Sequence, residues 1–177
     1  MTAPSDISWS APSGTFNLRV AAVICRDEHI LLCTVNGLGY WILPGGRVRI
    51  GEPSDVALAR EMAEELGHVL PGGTLALVAE NIYRGAALHH GIGLYYRLTW
   101  PAELAPDDLH RGTEPGHHFR WVPARELGSA GLQPAGLISV LPDLIRPETA
   151  GTLRHVVLRP DQAPSGTSAP RPGRHPR

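Results

Sequence analysis

The stretch Gly46 to His68, GRVRIGEPSDVALAREMAEELGH, constrains this chain more than any other part of it. Pro53 suits the first position of a helix, where its missing N–H costs nothing, and Ser54 and Asp55 favour the positive end of the helix dipole. Gly67 can take the left-handed conformation that closes a helix. Between those marks, a rotation of about 100° per residue puts Glu61, Glu64 and Glu65 on one face. Val56, Leu58, Ala59, Met62, Ala63 and Leu66 occupy the rest, and that apolar arc must face a sheet. Three carboxylates so close repel one another unless they are solvated, protonated or neutralised by a cation. A hard divalent ion such as Mg²⁺ or Mn²⁺ is the natural neutraliser, because these ions prefer oxygen ligands and keep room for substrate phosphates. Arg60, four residues before Glu64, can pair with a carboxylate and hold its rotamer. A solvated acidic surface would account for the glutamates taken alone. The preceding Leu43-Pro44-Gly45-Gly46 favours a site, since a turn with so little side-chain bulk lets its backbone approach a metal or a phosphate.

The rest of the composition removes competitors. All 16 basic residues are Arg, so the P-loop lysine and any Schiff-base lysine are excluded. A formal charge of -1 with 19% charged residues lacks the basic footprint of a dedicated nucleic-acid or membrane-surface binder. No stretch has the apolar length of a membrane span, and the N-terminus lacks the pattern of a signal peptide, so the expectation is a cytoplasmic protein. Cys25 and Cys33 sit in apolar runs and read as packing residues. GxSxG, GxGxxG and HExxH patterns are absent, which leaves serine hydrolase, dinucleotide oxidoreductase and zincin readings without support.

Along the chain, residues 1–15 read as a flexible segment without periodicity, and the end from Arg159 carries scarcely an apolar side chain. Phe16–Cys25 and His29–Val35 read as a strand hairpin around Arg26-Asp27-Glu28. Thr74–Tyr83, Ile92–Trp100 and Phe119–Val122 have strand composition, and a second helix is expected from about Pro134 to Ile145. His155–Leu158 is a candidate edge strand. Strands surround one strong helix without regular alternation, so the fold class is α/β with a mixed sheet flanked by helices, in a single domain.

In order and spacing, Gly46, Glu52, Arg60, Glu61, Met62, Glu64, Glu65 and Gly67 resemble the signature of the Nudix hydrolase family, in its MutT-like form. Only His68 departs, standing where the signature has an apolar residue. Trp41 to Gly46 and Phe119 to Pro123 extend the likeness more loosely, over roughly 16–147. The resemblance implies a Nudix α/β/α sandwich over 16–147, with 148–177 as a Pro- and Arg-rich extension. It implies hydrolysis, dependent on Mg²⁺ or Mn²⁺, of a phosphoanhydride bond in a nucleoside diphosphate-linked substrate such as a (d)NTP or another small nucleotide. An ADP-ribose or nucleotide-sugar pyrophosphatase is the alternative within enzymes, and a nucleotide-sensing module the alternative outside them. Mapped onto this chain, Glu61, Glu64, Glu65 and the Gly45 carbonyl correspond to metal ligands, Arg60 to their orienting partner, and Glu52 to a support for loop and helix.

Glu114 is the candidate for a further ligand or general base, against the plainer reading of an exposed loop acid. Arg47 and Arg49 flank the turn and are candidates for binding substrate phosphates, although solubilising side chains would look the same. His89-His90 and His117-His118 do not suggest zinc, because neighbours on a strand point to opposite faces. Tyr83, Tyr95, Tyr96 and Trp41 could stack on a base but fit a core equally well. The expected partner is a small nucleotide, with neither nucleic acid nor membrane; the family also brings a tendency to form homodimers.

Overall fold

The computed structural model describes residues 4–36, 38–70, 72–105 and 115–159. Its strands are β1 (Ser8–Ala11), β2 (Gly14–Arg26), β3 (His29–Val35), β4 (Thr74–Arg84), β5 (Leu88–Thr99), β6 (His117–Pro123) and β7 (Arg154–Leu158). The helices are α1 (Ser54–Leu66), α2 (Leu127–Ala130) and α3 (Leu141–Leu144), joined by short 3₁₀ turns. All strands belong to one mixed sheet, ordered β6-β3-β2-β5-β4-β7, with β1 also paired to β2. β2 with β5 and β4 with β7 run parallel, and the other neighbours run antiparallel. The expected mixed sheet with flanking helices is the fold observed.

Sequence and structure agree closely where the signal is local. The His29–Val35 run coincides with β3, and Arg26 pairs with His29 around a two-residue loop. Both loop residues have positive φ, 46° at Asp27 and 60° at Glu28, as the tight hairpin turn that matches strand twist requires.

β2 organises the molecule. One edge pairs with β5 from Thr15 through Cys25. The other edge is divided among three partners. β1 takes Gly14 to Asn17, and β3 takes only Cys25 and Arg26 before diverging. Into the gap between them comes the Pro44–Val48 backbone. Val20 N–H donates to Gly46 O at 2.9 Å and Ala22 N–H to Pro44 O at 2.8 Å, while Leu18 O accepts from Val48 N–H at 3.1 Å. A strand edge left bare would present unpaired donors and acceptors; here the glycine turn satisfies them.

The sheet buries both faces. Against α1 lie Val20, Ala22, Ile24, Leu31, Tyr96 and Leu98, closed by Ala57, Leu58, Met62 and Leu66 of the helix. On the opposite face Val23, Ile30, Leu32, Leu77 and Tyr95 pack beneath Leu127, Leu137, Leu141 and Leu144. The layers are therefore helix, sheet and helix.

Two expectations are corrected. Within the N-terminal stretch expected to be flexible and without periodicity, Ser8–Ala11 form β1: Trp9 stacks on Phe16 with centroids 4.4 Å apart, and Ile7 N–H reaches Val48 O at 2.7 Å. The second helix is not continuous either. A 3₁₀ turn over Ala135–Ser139 gives way at Val140 to the single turn α3, since Pro142 has no N–H to carry the helical ladder through this segment. Among the described residues, no helix is long and apolar enough to cross a membrane.

Met62 is fully buried between α1 and the sheet. Met62→Ala is therefore expected to lower the unfolding free energy by about 2–5 kcal/mol, read from the urea midpoint. A loss within 0.5 kcal/mol would show that α1 contributes little to this core.

Candidate active site

The acidic face of α1 is set by how the helix is seated. Its first residue is Ser54, with Pro53 as the N-cap, one position later than the sequence pattern suggests, and it ends at Gly67 with φ 74°. Ser54 does not cap the helix; its Oγ bonds Tyr96 Oη at 2.6 Å and pins the N-terminus to β5. The apolar arc on the sheet rotates Glu61 and Glu65 inward until they are 8% and 5% exposed. Carboxylates buried to that degree are costly unless each is neutralised or hydrogen-bonded.

Arg60 supplies much of that neutralisation, and its bonds account for all five guanidinium donors. Nε and Nη2 grip the two Glu52 oxygens at 2.8 and 2.9 Å. Nη1 donates to Glu61 Oε1 at 2.6 Å and to Glu64 Oε2 at 3.0 Å, and Nη2 also donates to the Arg47 carbonyl at 3.0 Å. Glu52 Oε2 additionally accepts from Arg49 N–H at 3.0 Å. The Arg60 hydrogen bonds hold the Glu52 carboxyl below the ordinary carboxylate range, and the same bonds raise Arg60 above the usual guanidinium value. Glu52 thus joins the turn to the helix through Arg60.

Gly45 and Gly46 are glycines because of what lies against them. Gly45 has φ 136°, and a Cβ there would stand 2.3 Å from Val20 O; at Gly46 a Cβ would meet the Glu61 carboxylate at 2.3 Å. Gly45 N–H donates to Glu65 Oε2 at 3.0 Å. The Gly45 carbonyl accepts from Arg19 Nη2 at 3.0 Å, so this candidate ligand oxygen already has a guanidinium partner.

The structure thus brings Gly45, Glu52, Arg60, Glu61, Glu64 and Glu65 together. Arg49 is at the margin, with Nη2 3.8 Å from Glu64 Oε1. Arg47 turns away toward Asp6, at 3.5 Å. Glu114 lies outside the described residues. Sequence reasoning missed Arg19 and His117. His117 Nε2 stands 3.5 Å from Glu65 Oε1 with an exposure of 11%, whereas exposed His118 bonds Asn36 Oδ1 at 2.9 Å. Strand alternation separates the two, and the apolar Phe119 and Trp121 were the available signal that the odd-numbered residues of β6 face α1.

Among the described residues, no three His, Cys, Asp or Glu side chains stand in an ion-holding arrangement; the Arg60 guanidinium lies among Glu52, Glu61 and Glu64. The donor set itself is all carboxylate oxygen, beside a turn in which Gly46 leaves the Glu61 carboxylate uncovered by any Cβ. Such a set fits a hard divalent cation.

The family model described as NUDIX domain matches residues 15–144. This chain belongs to that family and is a hydrolase of pyrophosphate bonds. It is 28% identical over 187 residues, 90% of this chain and 69% of the relative, to a Mycobacterium tuberculosis (strain CDC 1551 / Oshkosh) protein named "Putative mutator protein MutT4". Among solved structures, MutT NUDIX hydrolase from Burkholderia pseudomallei superposes with a TM-score of 0.56 and 28% identity, covering 74% of this chain and 98% of that one. A mutator MutT protein from Bacillus halodurans shares the fold with a TM-score of 0.61 at 17% identity, over 82% and 92% of the two chains.

The lowered Glu52 value has a signed consequence. Above the ordinary carboxyl value of 4.5 its contribution to stability is fully present, and it is lost as pH falls through the lower folded value. Glu52→Gln is expected to lower Tm at neutral pH and to shrink the Tm difference from wild type as pH drops below about 4.5. A difference that stays constant down to acid pH would rule out the Glu52–Arg60 fork as its source.

Proposed function

We propose that the chain is a Mg²⁺- or Mn²⁺-dependent pyrophosphohydrolase of a nucleoside diphosphate-linked substrate, with nucleoside triphosphates as the favoured class. The observation that carries this reading is the pair of buried carboxylates, Glu61 and Glu65, held on one helix face against a turn without side chains. Glu61, Glu64 and Glu65 would hold the ion, which supplies neutralisation of phosphate charge.

The protein's own part is orientation. Arg60 keeps Glu52 with Nε and Nη2, so its Nη1 bonds to Glu61 and Glu64 can be given up without releasing the fork. Gly45 N–H fixes one Glu65 oxygen and His117 stands by the other. Arg49, already beside Glu64, is the better placed of the two turn arginines to meet a substrate phosphate. Arg47, turned to Asp6, supports the N-terminal segment instead. Glu114 stays a candidate base. A Mycobacterium tuberculosis relative named "Putative 8-oxo-dGTP diphosphatase 2", 66% identical over 29 residues, supports a triphosphate over a nucleotide sugar.

A product-resolved panel of canonical and oxidised nucleoside triphosphates, ADP-ribose and nucleotide sugars, with and without Mg²⁺ or Mn²⁺, tests the reading. Turnover of a triphosphate only with metal is expected. Preference for ADP-ribose would move the substrate class, and nucleotide binding without turnover would make the chain a sensing module. Glu64→Gln and Glu65→Gln are expected to reduce kcat by orders of magnitude and to weaken Mn²⁺ binding in a paramagnetic titration, with unchanged circular dichroism. Full activity in both at saturating Mg²⁺ would remove these residues from the metal site.

A further inference from the structure

On the sheet face opposite α1, the registers place three residues in one rung. Asn17 of β2 pairs with Gly91 of β5, and Gly91 pairs with Asn81 of β4. Strand alternation puts both amides on the same side as Arg19 and Tyr95. Strands spaced about 4.8 Å apart set the two outer Cα atoms roughly 10 Å from each other. The glycine between them leaves the floor bare, and a Cβ at Gly91 would meet Asn17 Oδ1 at 2.9 Å, so the Asn17 amide already leans over it. A glycine inside a strand marks a place where something approaches the backbone closely.

Both asparagines are half-buried, and among the described residues neither amide has a side-chain hydrogen-bond partner. The rung is bounded at one end by Tyr83, 44% exposed and stacked on His89 at 4.6 Å. At the other end Arg19 reaches the Gly45 carbonyl, and Gly45 N–H in turn holds Glu65. A floor without a side chain at Gly91, lined by two amides, therefore abuts the turn that anchors the acidic helix. An amide presents a donor and an acceptor side by side, the pattern that a heterocyclic base presents along its edge.

We propose that Asn17 and Asn81 read the base of the nucleotide, laid over Gly91 with its phosphates directed toward Gly45. This rests on the nucleotide reading above and adds the residues that select the base. The ligand class is a planar heterocycle carrying both hydrogen-bond donors and acceptors.

The experiment compares wild type, Asn17→Ala, Asn81→Ala and Gly91→Ala on base-bearing nucleoside triphosphates and on ribose 5-triphosphate, which has no base. Affinity for the same nucleotides is measured in parallel by equilibrium titration. Each asparagine variant is expected to raise KM and Kd for the preferred nucleotide about tenfold or more, with kcat within about threefold, Tm unchanged and turnover of the base-free compound unaltered. Gly91→Ala, whose new methyl would displace the Asn17 amide, is expected to reproduce Asn17→Ala. Asn81→Asp, which keeps the shape but loses the donor, is expected to reorder the preference among bases. Equal losses on base-bearing and base-free compounds, or no change on either, would overturn the assignment. If nothing is hydrolysed yet the Kd differences persist, the hydrolase reading fails and the base site stands. If no nucleotide binds at all, the base site itself is refuted.

Discussion

The division of one edge of β2 is the constraint on which the rest depends. A thirteen-residue strand needs partners along its whole length, and β3 leaves it after only two residue pairs beyond the two-residue loop. The Pro44–Val48 backbone fills the opening with ladder-like hydrogen bonds. Only a chain without side chains at 45 and 46 can lie there, because Val20 O crowds one position and the Glu61 carboxylate the other. The glycines are therefore needed for strand completion, whatever else they do. Having become part of the sheet, the turn is held by the same kind of backbone ladder as the strands beside it.

Two opposed demands then meet at α1. Packing turns Leu58, Met62 and Leu66 toward β2 and β5, and the helical repeat carries Glu61 and Glu65 partly inward with them. The electrostatic cost of that burial is met locally, by Arg60 on one side and by the Gly45 N–H on the other. Because Arg60 uses every donor it has, the arrangement is a closed network of the kind in which each member fixes its neighbours. Gly45 links the two sides of the sheet: its N–H is bound from the α1 side by Glu65, and its carbonyl from the opposite face by Arg19.

Much of this was legible in the sequence. The limits of α1, the extent of β3 and the hairpin between β2 and β3 depend on residues close together, where Pro53, Gly67 and the strand alternation act directly on the local backbone. The shared face of Glu61, Glu64 and Glu65 follows from helical geometry alone. Less legible were β1, whose polar sequence becomes a strand because β2 offers it an edge and Phe16 offers Trp9 a stacking surface, and the break before α3, where Pro142 cannot carry the helical ladder back into the 3₁₀ turn although Leu137 and Leu141 on either side both pack into the core.

By itself, then, the sequence determined the acidic helix, the bare turn before it and the family to which they belong, since each is written in residues within a few positions of one another. The tertiary structure alone decided the partners: Arg19 on the Gly45 carbonyl, Ser54 on Tyr96, His117 beside Glu65, and Asn17 level with Asn81 across Gly91. The physical reason is register. Which residues of distant strands share a rung depends on the pairing of whole strands, and a slip of one residue in its own strand would turn Arg19, Tyr96, His117, Asn17 or Asn81 to the other face.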